Sequence, residues 1–165
     1  MELWDAYYPD GTLAGTTLVR GEPIPPKYRH AVTEVLVVHR DGTILLMQRD
    51  HRKPIHPGTW ESSAGGSALQ GEDFETCARR ELREGTGLIA EHMEYLYEDV
   101  TDDTIYRGYL VTTDADKDSV VLQEGETIDY CWVPGAEYIK MLESGMCLSN
   151  SRGQLNDWLS NQKWK

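Results

Sequence analysis

The order of the predicted elements indicates an α/β fold in which a mixed sheet is sandwiched between helices. Apolar and β-branched runs predict strands on both sides of one strongly helical segment, and further helical patterns close the chain. Strands, one helix, more strands and C-terminal helices do not form a regular βαβ repeat, so the sheet should be mixed. With 165 residues and no linker or internal repeat, residues 1–165 are expected to form a single domain.

An N-terminal β-hairpin extension is predicted for residues 1–28. Residues 2–8 read ELWDAYY and are typical of a strand, a Pro-Asp-Gly turn follows, and residues 16–20 should be the return strand. Trp4 and Tyr7 are interpreted as packing residues. The alternative is that they line a base-binding site or form a homodimer contact, because aromatic residues are enriched at interfaces.

The core strands follow from apolar runs that are bounded by turn signals. The run AVTEVLVVH is nearly continuous, which is typical of a strand buried on both faces. The predicted strands cover residues 31–39, 43–49, 93–100, 104–112 and 127–133, with a short strand at 120–122. C-terminal helices are predicted at residues 136–142 and 155–159. Residues 50–57 are polar and basic and should form a solvated loop that includes Lys53.

The helix between these two groups of strands carries the strongest local signals. Asp73 is a plausible N-cap, and Gly87 can end the helix. At about 100° per residue, one arc of the helix is apolar and should face the core; it contains Phe74, Cys77, Ala78 and Leu82. Glu81 projects into the middle of that arc.

A carboxylate that points towards the interior is costly unless it meets a partner, a proton or a metal. Glu84 lies one turn after Glu81, so the two acids can converge on one ion, and Arg80 is placed to hold Glu84 from the side. Oxygen ligands of this kind suit Mg²⁺ or Mn²⁺. The alternative interpretation is a solvated, charged helix face with a tolerated glutamate at its edge.

Composition excludes several classes of function. A net charge of −12 argues against binding of a nucleic-acid polymer, although a phosphate substrate can still be neutralised locally by a metal. Cys77, Cys131 and Cys147 are too scattered for a disulfide framework or a zinc site and should be reduced and non-catalytic. No leader pattern or membrane-spanning run is present, so we expect a cytoplasmic protein without membrane partners.

Residues 66–88 read GSALQGEDFETCARRELREGTGL and resemble the signature of Nudix hydrolases, G-x5-E-x7-R-E-U-x-E-E-x-G-U, where U is a bulky aliphatic residue. The matching positions are Gly66, Glu72, Arg80, Glu81, Leu82, Glu84, Gly87 and Leu88. Gly85 departs from the signature because it replaces the second Glu of the E-E pair. The resemblance implies a Nudix-type α/β/α sandwich with its core at about residues 31–142.

The resemblance also implies a function: divalent-metal-dependent hydrolysis of a nucleoside diphosphate derivative or a related organic diphosphate. Mg²⁺ or Mn²⁺ would be held by Glu81, Glu84 and the carbonyl of Gly65. Gly66 and Arg49 are the expected substrate-binding residues, with Arg49 placed at a strand end facing the predicted site. Arg80 belongs to the same catalytic group, and Glu72 is expected to be an outer-shell or structural acid.

A further acid is expected from the loop before the last core strand, where family enzymes often supply one. Glu124 and Glu126 stand in that region, in QEGETIDYCW. Either residue could act as the base or as a metal ligand. The alternative is that both are solvated loop charges, because loop acids are usually exposed.

Two other functions remain open. Gly85 favours a degenerate Nudix domain that binds a nucleotide or a partner without turnover. The segment W-x-x-S-x-G-G and the N-terminal half resemble the branch near isopentenyl-diphosphate isomerases, in which His30 would match a metal ligand. Isomerase activity ranks lower, because Gly65 stands where those enzymes carry a reactive Cys and Ser67 where they carry a His.

Overall fold

The computed structural model describes residues 1–148 and 152–162. The strands are β1 (Leu3–Tyr7), β2 (Leu13–Val19), β3 (His30–His39), β4 (Thr43–Arg49), β5 (Trp60–Ser62), β6 (Ala64–Ser67), β7 (Glu94–Val100), β8 (Thr104–Thr113), β9 (Thr127–Pro134) and β10 (Cys147–Leu148). The helices are α1 (Phe74–Thr86), α2 (Gly135–Ser144) and α3 (Arg152–Ser160), and a 3₁₀ turn covers Lys117–Ser119.

The strands form a small hairpin and one mixed sheet. β1 and β2 pair antiparallel, which confirms the N-terminal hairpin. The mixed sheet has the order β10-β5-β4-β3-β8-β7, with β6 also paired to β3 and β9 to β4. β3 runs parallel to β8 from His30↔Thr104 to His39↔Thr113, while its pairing with β6 is antiparallel. The predicted mixed sheet is therefore confirmed.

Helices cover both faces of the mixed sheet. Successive side chains of a strand point to opposite faces, and β4 shows the consequence. Leu45 and Met47 pack into the apolar cluster that contains the α1 residues. Ile44 and Leu46 pack into a second cluster, which contains residues of α2 and α3. This arrangement confirms the predicted α/β/α sandwich.

Helix α1 has the predicted ends and the predicted buried stripe. The Asp73 side chain accepts a hydrogen bond from the backbone N–H of Thr76 at 2.7 Å, and Gly87 ends the helix with a φ of 75°. The predicted stripe is buried: Phe74, Cys77, Ala78 and Leu82. Because both ends and the buried face are fixed, α1 is held in position against β6.

The structure corrects the expected secondary structure at two places. No strand forms at residues 120–122, because the Val121 N–H donates to the carbonyl of Thr86 at 2.9 Å and so joins this segment to the end of α1. The short strands β5 and β6 were not expected, since β5 has only three residues and the Ala-Gly-Gly-Ser sequence of β6 weakens the strand signal. Both strands are stabilised by pairing with distant parts of the chain.

The hairpin packs on the start of β3 through aromatic side chains. Trp4 stacks on the ring of His30 with centroids 4.2 Å apart. Tyr7 exchanges backbone hydrogen bonds with Arg29 at 2.9 and 2.7 Å. Trp4 and Tyr7 are both buried, which confirms their packing role.

Candidate active site

A cleft of about 760 Å³ lies between α1, β6, the β4–β5 loop and the turn at residues 123–127. We use two names for its sides. The helix wall consists of β6 and of residues 80–85 of α1. The loop wall consists of residues 49–61 and of the turn at 123–127. The cleft brings together the following predicted site residues: Arg49, Gly65, Gly66, Arg80, Glu81, Glu84 and Glu126.

Arg80 connects the acidic side chains at the helix wall. Its Nε and Nη2 atoms bind the two oxygens of Glu72 at 2.6 and 3.0 Å. Its Nη1 atom donates to Glu81 at 2.9 Å and to Glu84 at 3.3 Å, and Nη2 also reaches the carbonyl of Ser67 at 3.1 Å. A bidentate pair fixes the guanidinium plane, so Arg80 holds the three carboxylates in one arrangement.

The electrostatic surroundings push two of these carboxyl groups in opposite directions. The hydrogen bonds from Arg80 lower the pKa of Glu72 below its ordinary value. Burial raises the pKa of Glu81, against the opposing effect of Arg80. Glu72 is therefore held in its ionised form and fixes Arg80 in place. The negative charge of Glu81 is only partly balanced by Arg80, so a cation would stabilise it.

The two glycines of β6 are required by close packing. A Cβ atom on Gly66 would lie 2.4 Å from Oε1 of Glu81, and one on Gly65 would lie 2.6 Å from the carbonyl oxygen of Thr33. Any side chain at Gly66 would therefore push the Glu81 carboxylate away. The Gly-Gly pair lets β6 pass directly beneath the acidic residues of α1.

The oxygen atoms of the helix wall fit a hard divalent cation. Glu81 Oε2 and Glu84 Oε1 accept no hydrogen bond from any residue in the described part of the chain. These free oxygens are the ligand type that Mg²⁺ and Mn²⁺ take, together with water and substrate phosphates. Among residues 1–148 and 152–162, no group of three Asp, Glu, His or Cys side chains could hold an ion alone.

Gly85 leaves room for the acid that the signature expects. A Cβ atom at this position would meet only Ala64 Cβ, at 3.8 Å, which is an ordinary contact. Gly85 also lines the cleft. The backbone therefore does not demand glycine here, and its presence removes a carboxylate from the helix wall without a packing reason.

Two ion pairs of the loop wall line the cleft. Arg49 binds Glu61 at 3.2 Å and donates to the carbonyl of Ile55 at 2.8 Å. Lys53 pairs with Glu126, and its side chain is 22% exposed. The expectation of a solvated Lys53 is wrong, because the Asp50 N–H binds the Glu126 carbonyl at 2.9 Å and draws the two loops together.

Three acids of the cleft were missed by sequence reasoning: Glu2, Glu34 and Glu61. Glu34 lies inside the apolar run of β3, is 6% exposed and accepts a hydrogen bond from Tyr97 Oη at 2.8 Å. Glu61 precedes the Gly-Gly pair, and burial raises its pKa. A charged residue inside a continuous apolar strand was the available signal for Glu34. Nothing in the sequence distinguished Glu61.

Acids outnumber permanent cations around the cleft. The acids are Glu2, Glu34, Glu61, Glu81, Glu84 and Glu126, and the cations are Arg20, Arg49, Lys53 and Arg80. An anionic ligand therefore needs additional positive charge in order to enter.

Several predicted residues lie away from the cleft. Glu124 is exposed and does not line it, unlike Glu126 on the same turn. The His30 ring packs on Trp4, and its Nδ1 atom has no hydrogen-bond partner in the described part of the chain. His30 is thus buried against the hairpin rather than placed with Glu81. Ser67 lines the cleft, where its carbonyl accepts from Arg80.

The cysteines do not line the cleft either. Cys77, Cys131 and Cys147 are free, and Cys77 and Cys147 are buried. Cys77 lies behind β6, with Sγ 3.6 Å from the Gly66 carbonyl oxygen. Burial raises its pKa to about 12, so the thiol is a poor proton donor.

None of the described helices is long and apolar enough to cross a membrane.

Comparison with known proteins agrees with this geometry. A family model of the NUDIX domain matches residues 27–146. An uncharacterised Nudix hydrolase of Listeria monocytogenes is 31% identical over 151 residues, which cover 88% of this chain and 87% of the relative. Another, from Escherichia coli, is 31% identical over 113 residues, or 66% of this chain and 61% of the relative.

Solved structures show the same fold at lower sequence identity. A crystal structure from Deinococcus radiodurans has a TM-score of 0.74 at 19% identity and covers 96% of this chain and 98% of its own. The NUDIX domain of Shewanella oneidensis NrtR, solved with ADP ribose, has a TM-score of 0.59 at 20% identity, with coverage of 78% and 84%.

Proposed function

The chain belongs to the Nudix hydrolase family, and from this premise we propose that it is a divalent-metal-dependent hydrolase of a nucleoside diphosphate derivative or a related organic diphosphate. The substrate is a small molecule, and the expected site of the reaction is the cytoplasm. The observation that carries the proposal is the helix wall. Glu81 and Glu84 each keep a free carboxylate oxygen at the cleft, while Arg80 and Glu72 fix their positions.

At the helix wall, some residues fix the positions of side chains and others bind the metal ion. Glu72 anchors Arg80, and Arg80 orients Glu81 and Glu84 so that their free oxygens are available to Mg²⁺ or Mn²⁺. The Gly65 carbonyl is the further ligand that we assign. When bound, the ion supplies charge neutralisation for the substrate phosphates and lowers the pKa of a bound water.

The loop wall is the side that we assign to the substrate phosphates and to the proton. Arg49 is the proposed phosphate contact, since it lines the cleft and is fixed by Glu61. Glu126 is the proposed base or additional ligand. We do not assign this role to Glu124, because its side chain is exposed and does not line the cleft. Glu126 is presented by a tight turn in which its N–H binds the Gln123 carbonyl at 3.0 Å.

The second candidate function is binding of a nucleotide or a partner without turnover. Gly85 favours it, because the helix wall has one carboxylate fewer than the family signature provides. Isomerase activity remains a weaker alternative, because the described cysteines lie outside the cleft and Gly65 has no thiol. These alternatives differ from the hydrolase in that neither cleaves the diphosphate of its ligand.

Product release in the presence of Mg²⁺ or Mn²⁺, measured across a panel of nucleoside diphosphate derivatives, tests the proposal. Glu81→Gln should reduce a detected activity by roughly a thousandfold or more, because a metal ligand contributes several kcal/mol to the transition state. Glu75→Gln is the matched control. Glu75 lies on the same helix and pairs with Arg79 at 2.9 Å, but it does not line the cleft.

Unchanged activity in Glu81→Gln would remove the helix wall from the reaction. No hydrolysis of any substrate by the native chain, with tight binding of one of them, would favour the non-catalytic function. Gly85→Glu separates these cases further, because activity that appears only in this variant identifies the native chain as a degenerate domain.

A further inference from the structure

The arginines that line the cleft differ in how much of each guanidinium group is already used. Arg80 binds three carboxylates and a carbonyl through all of its nitrogen atoms. Arg49 likewise uses Nε, Nη1 and Nη2 for Glu61 and for carbonyls of its own loop. Arg80 therefore has no N–H group left for a ligand. Arg49 keeps one further N–H on each of Nη1 and Nη2, which are available for the proposed phosphate contact in the orientation that its loop imposes.

Among the arginines that line the cleft, Arg20 has the most N–H donors without a partner in the described part of the chain. Its Nη1 atom binds Glu2 at 3.1 Å, and in the described part of the chain Nε and Nη2 have no partner. The side chain is 64% exposed, so its ion pair with Glu2 contributes little to stability. Two adjacent N–H groups in this geometry match the oxygens of a phosphate.

The hairpin that precedes Arg20 is attached to the loop between β6 and α1. The Gln70 N–H donates to the Leu3 carbonyl at 2.9 Å, and the Gly71 N–H donates to Asp5 Oδ2 at 2.8 Å. The Gln70 side chain also reaches Thr17 Oγ1 at 3.0 Å. Both hairpin strands are therefore joined to the loop that leads into α1, and Arg20 is presented by a fixed part of the cleft.

We infer that Arg20 binds a phosphate group of the substrate beyond the two phosphates held at Glu81 and Glu84. This inference rests on the proposed function for the position of those two phosphates. The acid-rich cleft repels further negative charge, and Arg20 can bind it because Nε and Nη2 have no partner in the described part of the chain. The N-terminal hairpin is thus a specificity element that decides whether ligands with a third phosphate are bound.

Equilibrium binding separates this role from catalysis. The probes are the α,β-methylene analogue of adenosine diphosphate and the analogue of adenosine triphosphate in which methylene groups replace both the α,β and the β,γ bridging oxygens, each titrated with Mg²⁺ into the full chain. Arg20→Gln should weaken binding of the triphosphate analogue roughly tenfold, since hydrogen bonds to charged groups are strong, and should change the diphosphate analogue less than about twofold. Arg20→Lys should give an intermediate loss, because it keeps the charge and loses the fork.

Arg40→Gln is the matched control. Arg40 is also an exposed arginine with one carboxylate partner, Asp114 at 3.4 Å, and it does not line the cleft. Equal changes for both analogues in Arg20→Gln, no change, or failure of the native chain to bind the triphosphate analogue would each overturn the inference. Selective binding without any hydrolysis would leave the inference standing and reject the proposed hydrolase.

Discussion

The two walls of the cleft are built in different ways. On the helix wall, Arg80, Glu81 and Glu84 lie within five positions of one helix, and Arg80 joins them to Glu72 only eight residues earlier. On the loop wall, Lys53 meets Glu126 across 73 positions of sequence. The first wall is fixed by helical geometry and caps, whereas the second depends on how two loops are drawn together by the sheet.

This difference assigns different tasks to the walls. The helix wall is closely packed against glycine and has little freedom, as a site that must place carboxylates accurately requires. The loop wall consists of exposed and half-buried ion pairs, which exchange partners at low cost. We therefore expect substitutions on the helix wall to have large effects, and substitutions that break ion pairs of the loop wall to have small effects on stability.

Among the glycine substitutions, Gly66→Ala should have the largest effect on activity. The added methyl group would stand 2.4 Å from the Glu81 carboxylate and displace it. A displacement of about 1 Å costs roughly a hundredfold in rate, and we expect at least that loss in product release under Mg²⁺. Gly85→Ala serves as the control, because its Cβ meets only an ordinary contact. A Gly66→Ala protein of native activity would show that Glu81 need not lie against β6.

Arg80→Gln should have the largest effect on stability. It leaves Glu72 and Glu81 without their shared cation, which should cost about 3 kcal/mol of unfolding free energy at neutral pH. Arg80 lowers the pKa of Glu72, so this stabilisation is complete above the ordinary carboxyl pKa and is lost as pH falls through the lowered value. Urea unfolding at several pH values should show the deficit shrinking below about pH 4.5. A deficit that is constant from neutral to acid pH would contradict this assignment.

Two substitutions of Gly85 should change different properties of the protein: its stability and its metal affinity or turnover. Gly85→Ala should stabilise the protein by about 1 kcal/mol, because alanine favours the helix and its methyl group has space. Gly85→Glu should raise metal affinity or turnover by restoring the absent carboxylate. Thermal unfolding and metal titration measure the two effects. Destabilisation by alanine would show that the end of α1 requires glycine.

Of these substitutions, Lys53→Gln should have the smallest effect on the free energy of unfolding. The pair with Glu126 is partly exposed, so its loss should change the unfolding free energy by less than about 1 kcal/mol. Arg52→Gln provides the comparison on the same loop, since Arg52 pairs locally with Asp50 and does not line the cleft. A loss as large as that of Arg80→Gln would mean that the two walls are equally rigid.

Local spacing explains which parts could be predicted. The caps of α1, its buried stripe and the convergence of Glu81 and Glu84 follow from positions three or four residues apart, and the structure has all of them. The strands of the core follow from their apolar runs. The fold was therefore largely predictable, as was the α1 part of the helix wall.

Long-range pairing explains the rest. Lys53 was assigned to solvent because nothing near it in sequence shows that Glu126 will be adjacent. Glu34 was overlooked because its partner, Tyr97, is 63 positions away. Strand β6 has too little strand propensity to be recognised, and it forms through its pairing with β3.

The central claim is that Glu81 and Glu84 bind a divalent ion whose shell is completed by substrate phosphates. Mn²⁺ binding, followed by electron paramagnetic resonance with and without α,β-methylene adenosine diphosphate, tests it directly. We predict weak binding by the native chain alone, at least about tenfold tighter binding with the analogue, and loss of this gain in Glu81→Gln but not in Glu75→Gln. Equal Mn²⁺ affinity of native and Glu81→Gln proteins in the presence of the analogue would contradict the claim.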